Sequence, residues 1–171
     1  MLSRPGVGHE LRVFSREGAM AWTYTHEWLC QRVVEDSQIA IIFANRDGII
    51  HFWNSGAEAM FGYPAEEAVG QTLDLIVPER QRSRHWEGYH RVMATGVTKY
   101  GRELLAVPAM TKDGRRISIE FSIVLLRAPT GELLGAAAIM QDVTARWQEQ
   151  KELKERLAAL GAKLEQVDKS A

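Results

Sequence analysis

His85 is the residue whose setting could most readily do chemistry. It lies on a stretch, about Glu79 to Ala94, that reads as a helix, with Tyr89 one turn on and Val92-Met93 about two turns on. Residues at that spacing share a helix face, so the imidazole stands among apolar and aromatic side chains. A neutral imidazole held in this way is a good ligand for iron. The other histidines, His9, His26, His51 and His90, occupy no comparable setting, and His90 points to a different part of the helix surface. Cys30 is the only cysteine, which excludes an internal disulfide and a multi-cysteine zinc site and reads as a small buried hydrophobe on a helix.

The elements that must position His85 are legible on either side of it. Gln38–Asn45 and Gly48–Trp53 read as two strands around Arg46-Asp47-Gly48, because an Asp-Gly pair between apolar runs signals a hairpin. Three more strands are expected over Lys99–Met110, Arg116–Leu126 and Leu133–Gln141, joined by turns containing Lys112-Asp113-Gly114 and Pro129-Thr130-Gly131. Along the middle one, Ile117, Ile119, Phe121 and Ile123 alternate with Ser118, Glu120 and Ser122, so one face is apolar and the other polar. Trp22, Trp28-Leu29 and Val33-Val34 suggest an amphipathic helix ending near Asp36-Ser37. Leu153, Leu157, Leu160, Leu164 and Val167 repeat at four-three spacing on a coiled-coil-like C-terminal helix. The division expected is a poorly ordered 1–15, an N-terminal helix over 16–37, one domain over 38–144 and a C-terminal helix over 145–171.

Bulk properties narrow the function. A chain of 171 residues, 46% hydrophobic, supports one core with appended helices. With 21 basic and 22 acidic residues there is no field to favour nucleic acid or an anionic membrane. No apolar run reaches the roughly 18–20 residues that span a bilayer, and Met1–Met20 lacks the apolar centre of a signal peptide, so a cytoplasmic location is expected.

Asn54-Ser-Gly-Ala-Glu-Ala-Met-Phe-Gly-Tyr63, Glu67-Ala-Val-Gly-Gln71, Leu75-Ile-Val-Pro78, Lys112-Asp-Gly114 and Asp142-Val-Thr144 together resemble the PAS superfamily, and within it the heme-binding domains of FixL-type oxygen sensors and heme-regulated phosphodiesterases. The resemblance covers about residues 35–150 and implies an α+β fold, a five-stranded antiparallel sheet with short flanking helices. In those domains the axial histidine stands eleven residues before the glycine of a turn, the distance here from His85 to Gly96. The resemblance thus implies non-covalent heme b with His85 on the iron and Arg91 at a propionate. Tyr89, Met93, Leu105, Ile117, Ile119, Phe121, Ala138 and Met140 would line the cavity. Leu105 falls where the oxygen sensors carry an arginine, and leucine cannot donate a hydrogen bond. FAD is the lesser alternative. A flavin domain with a reactive cysteine is excluded, because residues 55–95 contain none.

Two functions fit that reading. The size and single-domain layout resemble heme-PAS lyases that convert N-nitroglycine to glyoxylate, ammonia and nitrite; there Arg102 would anchor the substrate carboxylate and Glu103 would be the base. The alternative is a gas or redox sensor that signals in trans to a separate partner. Either form is expected to be a homodimer joined by the helices outside the sheet.

Overall fold

A computed structural model describes the backbone of residues 11–14, 20–98 and 104–170, with side chains described over 24–98 and 104–160. Five antiparallel strands form the main sheet: β3 (Ala40–Asn45), β4 (Ile50–Trp53), β5 (Leu105–Met110), β6 (Arg116–Arg127) and β7 (Leu133–Asp142). Their order is β4-β3-β7-β6-β5. Between β4 and β5 run α2 (Ser55–Phe61), α3 (Ala65–Ala68), 3-10 turns at Leu73–Leu75 and Glu79–Gln81, and α4 (Arg82–Thr95). The core forms where these pack on one sheet face, joining Ala40, Ile42, Ile119 and Met140 of the sheet to Ala57, Phe61, Leu73 and Ile76. The α+β architecture expected from the sequence is the one observed.

The opening hairpin turns where the Asp-Gly pair indicated. Asn45 Oδ1 accepts hydrogen bonds from Asp47 N and Ile49 N, both at 3.0 Å, and Gly48 N donates to Asn45 O.

Asn54, which follows β4, is 3% exposed and fully bonded. Its Oδ1 accepts from Ile41 N at 2.8 Å and from Ala57 N at 2.9 Å, capping α2. Its Nδ2 donates to the carbonyls of Val34 (2.9 Å), Ser37 (3.2 Å) and Ile39 (2.9 Å). One amide therefore binds the exit of the N-terminal helix, the start of β3 and the start of α2. Gly56 is required by the same junction: a Cβ there would fall 2.6 Å from the carbonyl carbon of Ile39 and 2.7 Å from Ser37 O, backbone atoms that cannot swing aside.

The flanks depart from expectation. Instead of a helix starting at residue 16, β1 (Leu11–Phe14) and β2 (Met20–Thr23) pair antiparallel, and α1 spans only His26–Glu35. Thr25 Oγ1 accepts from Trp28 N and fixes that start. Leu-Arg-Val-Phe alternates with period two, and Met-Ala-Trp-Thr carries the aromatic and β-branched residues that strands prefer; Trp22 had been counted into a helical spacing that begins only after Thr25. The expected disorder over 1–15 concerns residues that, apart from Leu11–Phe14, lie outside the described ones. Cys30 is exposed on α1, not buried, with its Sγ 3.5 Å from His26 Nε2.

α5 (Thr144–Ser170) leaves the sheet from a fastened base. Asp142 accepts from Thr144 N, Thr144 Oγ1 accepts from Ser118 N, Val143 N donates to Ser118 O, and Arg146 pairs with Glu120. Beyond that base Trp147, Leu153, Leu157 and Leu160 are each more than half exposed. The outer sheet face is more apolar than the alternation in β6 suggested, because Val124, Leu126 and Ile139 are all exposed on it.

Asn54→Ala is expected to lower unfolding stability by about 2–4 kcal/mol, since it strands several buried backbone groups together. Asn54→Asp should give no rescue although aspartate caps helices well, because a carboxylate oxygen would face three carbonyls. Urea denaturation of the two variants checks both statements.

Candidate functional site

α4 carries the candidate site and ends at Gly96, whose φ of +64° lies in the left-handed region that glycine occupies most easily. Its inward face presents His85, Trp86, Tyr89, Val92 and the buried Met93, while Arg84, Glu87, His90 and Arg91 are exposed. The Tyr89 hydroxyl donates to Asn45 O at 2.6 Å and to Ala44 O at 3.2 Å, pinning α4 to the end of β3. Burial, assisted by the Asp47 carboxylate, raises its pKa to about 12, so Tyr89 is a fixed donor rather than an acid or base. The Trp86 indole N–H donates to Asp74 Oδ1 at 2.8 Å, and its ring lies over the Gly48 turn so closely that no Cβ would fit there.

Between these two anchors His85 is half-buried. Its ring centroid lies 5.3 Å from that of Trp86, edge-on, and 5.9 Å from that of Tyr89. Nδ1 is buried and has no hydrogen-bond partner among the described residues. Burial lowers the imidazole pKa, the Asp74 carboxylate works against that, and His90 adds to the lowering. The neutral ring with a free nitrogen is the protonation state a metal ligand requires.

Opposite α4 the sheet is aligned as the cavity reading needs. Leu105, Phe121, Met140 and Ala40 are cross-strand partners in one row, with Ile123, Ala138 and Ile42 in the next, and Val107 with Ile119 and Ala109 with Ile117 continue the same face on β5 and β6. The structure thus brings Leu105, Ile117, Ile119, Phe121, Ala138 and Met140 onto one face, turned toward the helices. It does not bring Arg91 to them: that side chain is exposed and makes no ion pair among the described residues. Arg102 and Glu103 lie outside the described residues. No group of three or more His, Cys, Asp or Glu side chains suited to a metal occurs among the described residues, so His85 would be the sole protein ligand identified to any metal.

Trp86 and Asp74 were not anticipated. Trp86 follows the candidate histidine directly, and helical periodicity could have placed it on the same face; nothing local linked it to Asp74, twelve residues back. A cavity of about 490 Å³ lies beyond the N-terminal end of α4, lined by Tyr63, Asp74 and Met110 among others, and His85 is not part of it.

Because the unfolded chain accepts a proton on His85 near pH 6.5 and the native ring resists it, the unfolded state binds more protons below that pH. Stability should therefore fall as pH drops from about 6.5 toward the lowered native value. His85→Phe should flatten that part of the profile, as read from thermal midpoints between about pH 7 and 5.5.

A family model described as the PAS fold matches residues 34–148. The histidine-protein kinase AtoS of Escherichia coli is 32% identical over 133 residues, covering 75% of this chain and 20% of that protein. Sensor protein FixL of Bradyrhizobium diazoefficiens is 29% identical over 157 residues, covering 85% of this chain and 30% of FixL. The chain thus spans less than a third of these curated relatives. Among solved structures, the PAS domain of a Colwellia psychrerythraea protein superposes with a TM-score of 0.59 at 24% identity, covering 68% of this chain and 98% of that one. No helix among the described residues is long and apolar enough to cross a membrane. Sheet order, the helices between β4 and β5 and the match over 34–148 agree: the chain belongs to the PAS fold family.

Proposed function

We propose that this chain is a sensory PAS module that holds heme b through His85 and passes the state of that group to a partner. The observation that carries this reading is the orphaned Nδ1 of a half-buried, neutral imidazole on the helix that faces an apolar sheet. The relation to sensor proteins supports the sensory part. His85 would ligate the iron, and Ile119, Phe121, Ala138 and Met140 would supply the apolar wall. Bound heme would contribute an iron whose oxidation state or gas ligation can change. Trp86 and Tyr89 pack against the same core, and Tyr89 is tied to the β3 carbonyls, so both would border the bound group. Leu105 offers no hydrogen-bond donor, which favours a signal that needs none.

The lyase alternative gains no observation. Arg102 and Glu103 lie outside the described residues, and the face formed by Leu105, Phe121, Met140 and Ala138 carries no base. Nitrite release from N-nitroglycine by reduced, heme-loaded protein, above a free-heme control, would restore it.

Protein produced with heme supply should show a Soret band that His85→Ala abolishes or shifts to that of weakly held iron, with the fold retained. An unchanged spectrum and stoichiometry would remove His85 from the iron, and a flavin spectrum would give the cavity to FAD.

A homodimer completes the proposal. No residue of α1 is buried, and Leu153, Leu157 and Leu160 of α5 are exposed, so among the described residues both helices carry exposed apolar surface. Leu153→Asp with Leu157→Asp is expected to weaken the dimer at least about tenfold in sedimentation, as two buried leucines are lost from the seam.

A further inference from the structure

The cavity at the N-terminal end of α4 has its own chemistry. Its apolar part comes from Leu75, Val77, Pro78 and Met110, beside Tyr63. Its polar part carries three guanidiniums, of Arg80, Arg82 and Arg116, and two carboxylates, of Asp74 and Glu79. Arg82 and Asp74 are already committed to each other: Arg82 Nε lies 3.6 Å from the Asp74 carboxylate, and the same guanidinium donates to Asp74 O at 3.0 Å and Val77 O at 3.3 Å. Asp74 also holds the Trp86 indole. That leaves Arg80 and Arg116, exposed and without a hydrogen bond or ion pair among the described residues, against the single carboxylate of Glu79. The first turn of α4 lies at the same opening, but the amides of Gln81 and Arg82 are taken up by Pro78 O and Glu79 O, so the unpaired positive charge there is that of the two arginines.

We propose that this cavity is a binding site for a small organic carboxylate with an aliphatic or aromatic body, separate from the face that His85 serves. A volume of about 490 Å³ falls within the range of small-ligand sites, roughly 300–1,000 Å³. Guanidinium forks bind a carboxylate in bidentate fashion, and the apolar floor takes up the rest of the molecule. Inorganic phosphate would satisfy the forks and leave the floor uncovered, which is why the combination selects an amphipathic anion. The inference does not depend on heme.

The test is a titration of the isotopically labelled full chain, followed by amide chemical shifts, with sodium benzoate, benzyl alcohol and inorganic phosphate at matched ionic strength. Benzoate should give saturable shifts at Val77, Gln81 and Met110, and the alcohol and phosphate should each bind at least about tenfold more weakly, lacking either the charge or the body. Arg80→Ala with Arg116→Ala, both exposed positions that leave the fold intact, should weaken benzoate by about tenfold or more. Any one of three results overturns the proposal: no saturable benzoate shifts at tens of millimolar, equal affinity in the double variant, or phosphate binding as tightly as benzoate.

Discussion

The amide of Asn54 is the constraint on which the rest of the fold depends. Five backbone groups from three separate segments converge on its two polar atoms: the amides of Ile41 and Ala57 on Oδ1, and the carbonyls of Val34, Ser37 and Ile39 on Nδ2. Each would be costly to bury unpaired, and no apolar side chain could satisfy even one. With the junction closed, β3 lies beside β7 in the register that puts Ala40, Ile42 and Ala44 inward, and α2 starts at the point that carries the chain across the same face. The small size of Gly56 allows the backbones to approach closely enough for this.

The helix that bears His85 is held along the first half of its inner face by two contacts of different kinds, one turn apart. Tyr89 holds it to carbonyls at the end of β3, and Trp86 to Asp74 in the preceding turn segment. His85 sits between the two, and its proton affinity reflects both the apolar surroundings and Asp74. The imidazole is thus kept neutral by position rather than by a dedicated partner. Its Nδ1 is one of two buried side-chain polar atoms without a hydrogen-bond partner among the described residues.

What the sequence disclosed and what it withheld divide along the range of the interactions. The Asp47-Gly48 hairpin, the alternation of Ile117, Ile119 and Phe121 and the helical face shared by His85 and Tyr89 are local patterns with a local cause, and the hairpin strands, β6, β7 and α4 fall where those patterns put them, to within a few residues; β5 begins at Leu105 rather than at the expected Lys99, and residues 99–103 lie outside the described ones. The N-terminal flank was misread because Trp22 and Trp28 fit a helical period by chance while the backbone pairs as β1 and β2. The outer sheet face was only partly legible: Ser118, Glu120 and Ser122 look polar along β6, yet Val124 and Leu126 further along the same strand, with Ile139 of β7 opposite Ser122, make that face partly apolar. The cavity beyond α4 was least legible, because Tyr63, Asp74, Met110 and Arg116 come from segments that only folding brings together. The placement of α4 by Trp86 and Asp74 belongs to the same class.

The base of α5 gives the molecule a mechanical ratio. Thr144 and Arg146 are fastened to Ser118 and Glu120 on β6, the strand whose other side carries Ile119 and Phe121. A helix of 27 residues is about 40 Å long, so a tilt of roughly 5° at that base sweeps its far end through about 3–4 Å. Movement too small to disturb the packing of the sheet becomes, at the tip of this arm, about a third of the width of a helix.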